Sequence, residues 1–142
     1  MMMAVKEIRC PDDAPAEELE GLVSEISMLK KLVHENIVGY LGARIERSHF
    51  LYIFTQWVPG GSIESLLERF GALTQSMVMN YTVQILRGLE YLHDENVVHR
   101  DIKSANILVD EKGVIKLSDF GTCKRLQEID RSRERGYNPY NL

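Results

Sequence analysis

His99-Arg100-Asp101-Ile102-Lys103-Ser104-Ala105-Asn106, followed further on by Asp119-Phe120-Gly121, is the stretch that decides how the rest of this 142-residue chain is read. It places a candidate base (Asp101), a phosphate-binding cation (Lys103) and two candidate metal ligands (Asn106 and Asp119) on one short loop and the strand end after it. Transfer of a phosphoryl group asks little covalent chemistry of a protein; it asks for positioning and charge stabilisation. Asp101 can accept the proton of an attacking hydroxyl, and Lys103 can balance charge on the moving group. Asn106 and Asp119 offer hard oxygens to Mg²⁺, which keeps water and phosphate oxygens in its other positions, so two protein ligands suffice.

The segment between them supports the grouping. Ile107-Leu108-Val109-Asp110 and Val114-Ile115-Lys116-Leu117 flank Glu111-Lys112-Gly113, a hairpin signal with glycine at the turn. A hairpin returns its end to its beginning, which brings Asp119 back toward Asn106. Taken singly, each residue has an ordinary reading: a loop ion pair for Asp101, a turn residue for Asn106, a turn-like tripeptide for Asp-Phe-Gly. Their order, the spacing from Asp101 to Asn106 and the hairpin leading into the triplet do not arise together by chance.

Composition narrows the class. Hydrophobic residues make up 44% and charged residues 27%, as in an ordinary soluble domain. The net charge of −4 gives no electrostatic attraction for nucleic acid or an acidic membrane, so neither is expected as a partner. No apolar run approaches the roughly 20 residues that span a bilayer, and the first residues lack the pattern of a signal peptide; an intracellular, cytoplasmic chain is expected. Cys10 and Cys123 stand far apart and outside any CxxC pattern, which suits two free thiols in a reducing compartment. Cys123, two residues beyond the triplet, could be reachable by an electrophile.

Outward from the loop, Ala4-Val5-Lys6-Glu7-Ile8 reads as a strand with Ala4, Lys6 and Ile8 on one face. The turn cluster Cys10 to Pro15 holds off helix until about residue 16. Leu19, Leu22, Val23, Ile26, Leu29, Leu32 and Val33 then form one apolar stripe at helical spacing. Glu25 falls inside that stripe. Either a cation such as Lys6 meets it there, or it sits at the edge and reaches water. Ile37 to Ala43 and Phe50 to Thr55, separated by a charged turn at Glu46 to His49, predict an antiparallel pair. Ser62 is an N-cap for a helix over 63–70, which Gly71 stops. Residues 76–93 predict the longest helix, with Val78, Tyr81, Ile85, Leu89 and Leu92 inward and Met77 and Met79 as core filler. Residues 128–142 lose apolar periodicity and predict a disordered tail.

Together these segments resemble a eukaryotic protein kinase of the serine/threonine type, and within it the MAP kinase kinase kinases of the MEKK type and their plant relatives. The resemblance rests on AVKEI at 4–8, SEISMLKKLVHENIVGYLG at 24–42, VPGGSIESLLERFG at 58–71, GLEYLH at 88–93, HRDIKSANILVD at 99–110 and IKLSDFGTCKRLQ at 115–127. It implies an α+β, protein-kinase-like fold, in part: 1–55 a partial N-lobe without the glycine-rich loop, 56–61 the hinge, 62–127 a partial C-lobe with catalytic loop and DFG triplet, and 128–142 the tail. It also implies ATP and Mg²⁺ as cofactors and a protein substrate, a MAP kinase kinase.

The resemblance further assigns roles. Lys6 would hold the α and β phosphates and Glu25 would pair with it, which settles the alternative left open above. Ala4 and Leu108 would form the two faces of the adenine slot, with Thr55 as gatekeeper. The backbone of Gln56 and Val58 would bond the base, and Ser62 would neighbour the ribose. Leu29, Tyr40, His99 and Phe120 would stack into a regulatory spine, and Arg100 would answer a phosphate on the activation segment. The pattern departs from the family in lacking GxGxxG before Lys6 and in leaving it near Gln127. The chain alone is therefore expected to transfer phosphate poorly or not at all, and to leave apolar surface exposed. A non-catalytic interaction module and an incomplete reading of a longer gene are the alternatives.

Overall fold

A computed structural model describes residues 2–9, 16–46, 50–121 and 123–125. The expected tail at 128–142 and the turn cluster at 10–15 lie outside the described residues. In chain order the elements are β1 (Met3–Arg9), α1 (Ala16–Leu29), β2 (Tyr40–Glu46), β3 (Phe50–Gln56), α2 (Ile63–Phe70), α3 (Gln75–Asp94), β4 (Val97–Val98), a 3-10 turn at Ser104–Asn106, β5 (Ile107–Val109), β6 (Ile115–Leu117) and β7 (Lys124–Arg125). This is a small antiparallel sheet with a few helices, the α+β arrangement expected.

β1, β3 and β2 form a three-stranded antiparallel sheet in the order β1-β3-β2. Lys6 lies opposite Ile53 and Ala4 opposite Thr55, so the face that carries Lys6 also carries the buried Leu51 and Ile53 of β3. β5 and β6 form the predicted hairpin, with Ile107 opposite Leu117. Its turn closes on Asp110, whose carboxylate accepts from the backbone N–H of Lys112 and of Val114, both at 2.8 Å. Gly113 sits at φ 78°, a left-handed conformation that costs glycine nothing.

The core runs through the molecule as one cluster that includes Leu29, Leu32, Ile37, Ile53, Leu92, Val97, Ile107, Ile115, Leu117 and Phe120. Ile37 and Val38 contribute to it differently from expectation. Strand β2 begins only at Tyr40, and Ile37 instead forms a parallel bridge to Leu117. Val38 N donates to Leu117 O and Leu117 N to Asn36 O, both at 2.9 Å. The β-branched residues at 37 and 38 are extended, but their partner is β6.

Asn36 ties this junction together. Its side-chain amide, 2% exposed, donates to Gln84 Oε1 at 3.1 Å and to Ile115 O at 2.9 Å. Gln84 in turn accepts from Ile115 N at 2.8 Å and donates to Gly113 O at 3.0 Å. The segment before β2, helix α3 and the hairpin are thus joined by one buried polar knot. Helix α3 comes close enough to take part because Gly88 has no side chain: a Cβ there would lie 3.0 Å from Leu117 Cδ1 and 3.1 Å from Asn36 O. A Cβ on Gly60 would lie 2.1 Å from Val109 O, so the turn before α2 can rest on β5 only with glycine at that position.

The helices differ from expectation at their surfaces. α1 ends at Leu29, and although Leu32 beyond it is buried, Val23 and Val33 are open to water. On α3, Tyr81 and Leu92 are buried and Ile85 and Leu89 pack against the core, while Val78 points out. Met77 and Met79 are also exposed and do not fill the core. A second apolar face, with Met79, Val83 and Leu86 exposed along it, therefore lies outward on α3. Among the described residues no helix is long and apolar enough to cross a membrane.

Candidate active site

A cleft of about 310 Å³ opens between the three-stranded sheet and the hairpin, within the size range of small-molecule sites. Ala4, Thr55, Gln56, Val58 and Leu108 line it, together with Lys6, Glu25 and Asp119. Leu29, Val38, Ile53 and Phe120 supply its apolar depth. Seven residues singled out from the sequence for nucleotide binding, Ala4, Lys6, Thr55, Gln56, Val58, Leu108 and Asp119, thus share one cavity with Glu25, while Lys103 is not among its lining residues. Ser62 is not among its lining residues. Its hydroxyl accepts from Ser65 N at 3.1 Å and caps α2, the role its N-cap pattern predicts.

At the inner end Lys6, Asp119 and Glu25 converge. Lys6 Nζ meets Asp119 Oδ1 at 3.1 Å. A Cβ built on Gly121 would fall 2.7 Å from Lys6 Nζ, 3.4 Å from Asp119 Oδ1 and 3.9 Å from Glu25 Oε1, so the three charges ring the bare backbone of that glycine. The direct partner of Lys6 is therefore Asp119, not the Glu25 expected. Glu25 feels Lys6 across space. Burial pushes the Glu25 carboxyl up, Lys6 pulls it back and Asp119 adds to the rise. Burial also works to raise Asp119, but the hydrogen bond and charge of Lys6 outweigh it and hold that carboxyl below its ordinary value. A depressed carboxylate stabilises the fold above its unfolded pKa and loses that contribution as pH falls through the folded one. Lys6 and Asp119 are each nearly half exposed, so their pair is screened by solvent.

The loop beside this cluster is held by its own side chains. His99, 1% exposed, accepts from Asp101 N at Nδ1, 3.2 Å away, so its proton resides on Nε2, which donates to Ser118 O at 2.8 Å. The His99 ring also packs at 5.2 Å from that of Phe120. Leu29, His99 and Phe120 of the expected spine are buried and Tyr40 is half-buried. Arg100 and Asp119 both take left-handed conformations, φ 68° and 57°. For side-chain-bearing residues these are uncommon, and such strain is concentrated where the surroundings dictate function.

Asn106 fixes Asp101. Its amide nitrogen donates to Asp101 O at 3.0 Å and to Asp101 Oδ2 at 2.9 Å. Lys103 Nζ lies 3.5 Å from the same Oδ2. Both partners hold one carboxylate oxygen, and Oδ1 has no partner among the described residues. With its nitrogen committed, Asn106 has its amide oxygen to offer. Asn106 O accepts from both Ser118 N and Ser118 Oγ at 3.0 Å, which sets Asp119 immediately beside it in space. Among the described residues no group of three or more His, Cys, Asp or Glu is placed to bind a metal by itself. One amide oxygen and one carboxylate fit a hard divalent ion that also takes phosphate oxygens.

Sequence reasoning missed Ser118, Asn36, Gln84 and Trp57. Gln84 had a signal: it lies three residues after Tyr81 and four before Gly88, a polar residue on the buried stripe of α3. Cys123, by contrast, is not the reachable thiol considered above. Burial, with Glu25 and Asp119 nearby, pushes it up to about 12, against the pull of Arg100 and Lys6. Its Sγ lies 3.4 Å from His99 O. Iodoacetamide at neutral pH is expected to alkylate Cys123 about a thousandfold more slowly than an ordinary exposed thiol. Peptide mapping of a labelling time course checks this; modification of Cys123 at the rate of a free thiol would contradict it.

The model of the protein kinase domain family matches residues 1–140. The chain belongs to the protein kinase family. It is 47% identical over 133 residues to mitogen-activated protein kinase kinase kinase 3 of Arabidopsis thaliana, covering 90% of this chain and 20% of that one. To mitogen-activated protein kinase kinase kinase 3 of Mus musculus it is 48% identical over 130 residues, 89% of this chain and 21% of the relative. To mitogen-activated protein kinase kinase kinase A of Dictyostelium discoideum it is 45% identical over 132 residues, 90% and 14%. This kinase chain thus spans about a fifth or less of the length of these relatives, and its likeness to the MAP kinase kinase kinases agrees with the resemblance read from the sequence.

Proposed function

We propose that the protein transfers the γ-phosphoryl group of ATP to serine or threonine hydroxyls of a protein substrate, a MAP kinase kinase, within a cytoplasmic signalling cascade. The observation that carries this reading is the apolar cleft with Lys6, Glu25 and Asp119 at its inner end, where Ser118, hydrogen-bonded to Asn106 O, ties Asp119 to the loop that carries Asp101, Lys103 and Asn106. Ala4 and Leu108 take the two faces of the base, and Thr55, with the backbone of Gln56 and Val58, takes its edge. Lys6 holds the α and β phosphates, with Glu25 at longer range. The Asn106 amide oxygen and the Asp119 carboxylate would hold Mg²⁺, which when bound would supply positive charge against that developing on the phosphates.

The protein groups act on the acceptor. Asn106 and Lys103 hold Asp101 Oδ2, leaving Oδ1 to orient the incoming hydroxyl and take its proton. Lys103 then lies within reach of the moving phosphoryl group. The Nε2–H tautomer of His99 joins this loop to Ser118, so the base and the metal ligand Asp119 are positioned by one hydrogen-bonded unit. Incubation with a MAP kinase kinase and γ-labelled ATP tests the proposal. Phosphoserine or phosphothreonine formed only with Mg²⁺ present is expected; label that appears equally without the protein, or on tyrosine alone, would overturn it.

A further inference from the structure

Four residues around the Asp-Phe-Gly triplet close a ring of hydrogen bonds. Asp101 N donates to His99 Nδ1 at 3.2 Å, His99 Nε2 donates to Ser118 O at 2.8 Å, and Ser118 N and Oγ each donate to Asn106 O at 3.0 Å. Asn106 Nδ2 completes the ring, donating to Asp101 O at 3.0 Å and to Asp101 Oδ2 at 2.9 Å. His99, Asp101 and Asn106 belong to the loop motif; Ser118 is the member that no motif assigns. It is half-buried, it lines the cleft, and the left-handed Asp119, at φ 57°, follows it directly. A single N–H···O bond holds two peptides together but lets them pivot about it. Ser118 places a second donor, its hydroxyl, on the same carbonyl oxygen, and two donors from one residue restrain orientation as well as distance.

We propose that Ser118 is a positioning residue for the pair Asn106 and Asp119: through its bond to Asn106 O, its hydroxyl keeps the amide oxygen of one and the carboxylate of the other in the relation that a single divalent ion requires, and so sets the affinity for Mg²⁺. This rests on the nucleotide-binding reading above. Mg²⁺ demands near-ideal octahedral geometry, so its affinity falls when its two protein ligands are free to drift apart. ATP without metal is held by the cleft and by Lys6 and does not depend on the hydroxyl. Removing a partner that orients a metal ligand costs about 10- to 100-fold in metal affinity. Ser118 N stays on Asn106 O when the hydroxyl is gone, so the loss here falls at or below the lower end of that range. For the same reason no acceptor is left without a donor, and the fold loses little.

Melting curves of the full chain at fixed ATP across a Mg²⁺ titration test this, the readout being the Mg²⁺ concentration at which half of the metal-dependent rise is reached. Ser118→Ala is expected to need about three- to tenfold more Mg²⁺ than the wild type, while the rise given by ATP alone stays the same. Ser118→Thr, which keeps the hydroxyl, should titrate like the wild type. Ser118→Val, which matches threonine in shape without the hydroxyl, should titrate like Ser118→Ala, so this second pair separates the hydrogen bond from the space the side chain fills and decides the matter where Ser118→Ala melts too low to titrate. If Ser118→Ala and Ser118→Val reach half of the rise at the wild-type Mg²⁺ concentration, whatever their melting temperatures without ligand, the hydroxyl is merely structural: the inference is overturned and the nucleotide site stands. A Ser118→Thr chain that titrates like Ser118→Val overturns it as well. If the melting of the wild type does not respond to Mg-ATP at all, the nucleotide-binding reading falls, and this inference with it.

Discussion

Asp101→Asn is expected to lower the rate of phosphate transfer by about 10²- to 10⁴-fold, the contribution of a positioned general base. The substitution keeps the size of the side chain. An amide in place of the carboxylate can still face Asn106 and Lys103, but it no longer has a basic oxygen for the acceptor's proton. In the proposed function Asp101 acts on the hydroxyl, and it lines no part of the cleft, so ATP binding should survive. Initial rates with γ-labelled ATP, together with nucleotide-dependent melting of the same preparation, check both halves. A variant that keeps the wild-type rate would remove Asp101 from the chemistry. One that loses ATP binding as well would point to a damaged loop.

Asn36→Ala is expected to destabilise the fold by about 2–3 kcal/mol, a fall in melting temperature of about 10 °C. The side-chain amide of Asn36 serves Ile115 O and Gln84 Oε1, both in places that water does not reach easily. Removing it leaves a buried carbonyl without its donor and a small void beside Gly88. Urea melts of Asn36→Ala, Gln84→Ala and the double variant provide the check. Residues of one network do not add, so the double variant should cost clearly less than the sum of the singles. Strict additivity would mean that the knot is not a unit.

What could be read from the sequence was mostly local. Ser62 and Gly71 bracket α2 because a cap and a stop act within a few residues, and both are seen in those roles. The hairpin between Asn106 and Asp119 was legible for the same reason, since Gly113 marks a turn that needs positive φ. The alternation that put Ala4, Lys6 and Ile8 on one face also holds, and it is what delivers Lys6 to the cleft. These local features, with the spacing of the loop residues, were enough to expect the family.

The misses are non-local. Lys6 and Asp119 are separated by 113 residues, and which of two carboxylates the lysine contacts depends on how the triplet turns at Asp119, not on any spacing. Ile37 and Val38 have the composition of a strand, and nothing nearby says that their partner is β6. Met77, Met79 and Val78 belong to the apolar surplus of α3, which has more hydrophobic residues than one face can bury; periodicity cannot tell which face turns inward. Nothing in the sequence marks Asn36, which is buried where α3 comes close at Gly88. Trp57 reads as part of the hinge, and it also lines the cleft.

The central claim is that this cleft binds a nucleotide through a metal held by Asn106 and Asp119. Thermal melting of the wild-type chain and of Asp119→Asn, with ATP alone and with ATP plus Mg²⁺, tests it most directly. A ligand that binds only the folded state raises its melting temperature, by about 2.7 kcal/mol of stabilisation at a hundred times its Kd. The account predicts a rise for the wild type that is larger with Mg²⁺ than without, and loss of the Mg²⁺-dependent part in Asp119→Asn. Melting curves of the wild type that superimpose with and without millimolar Mg-ATP would contradict it.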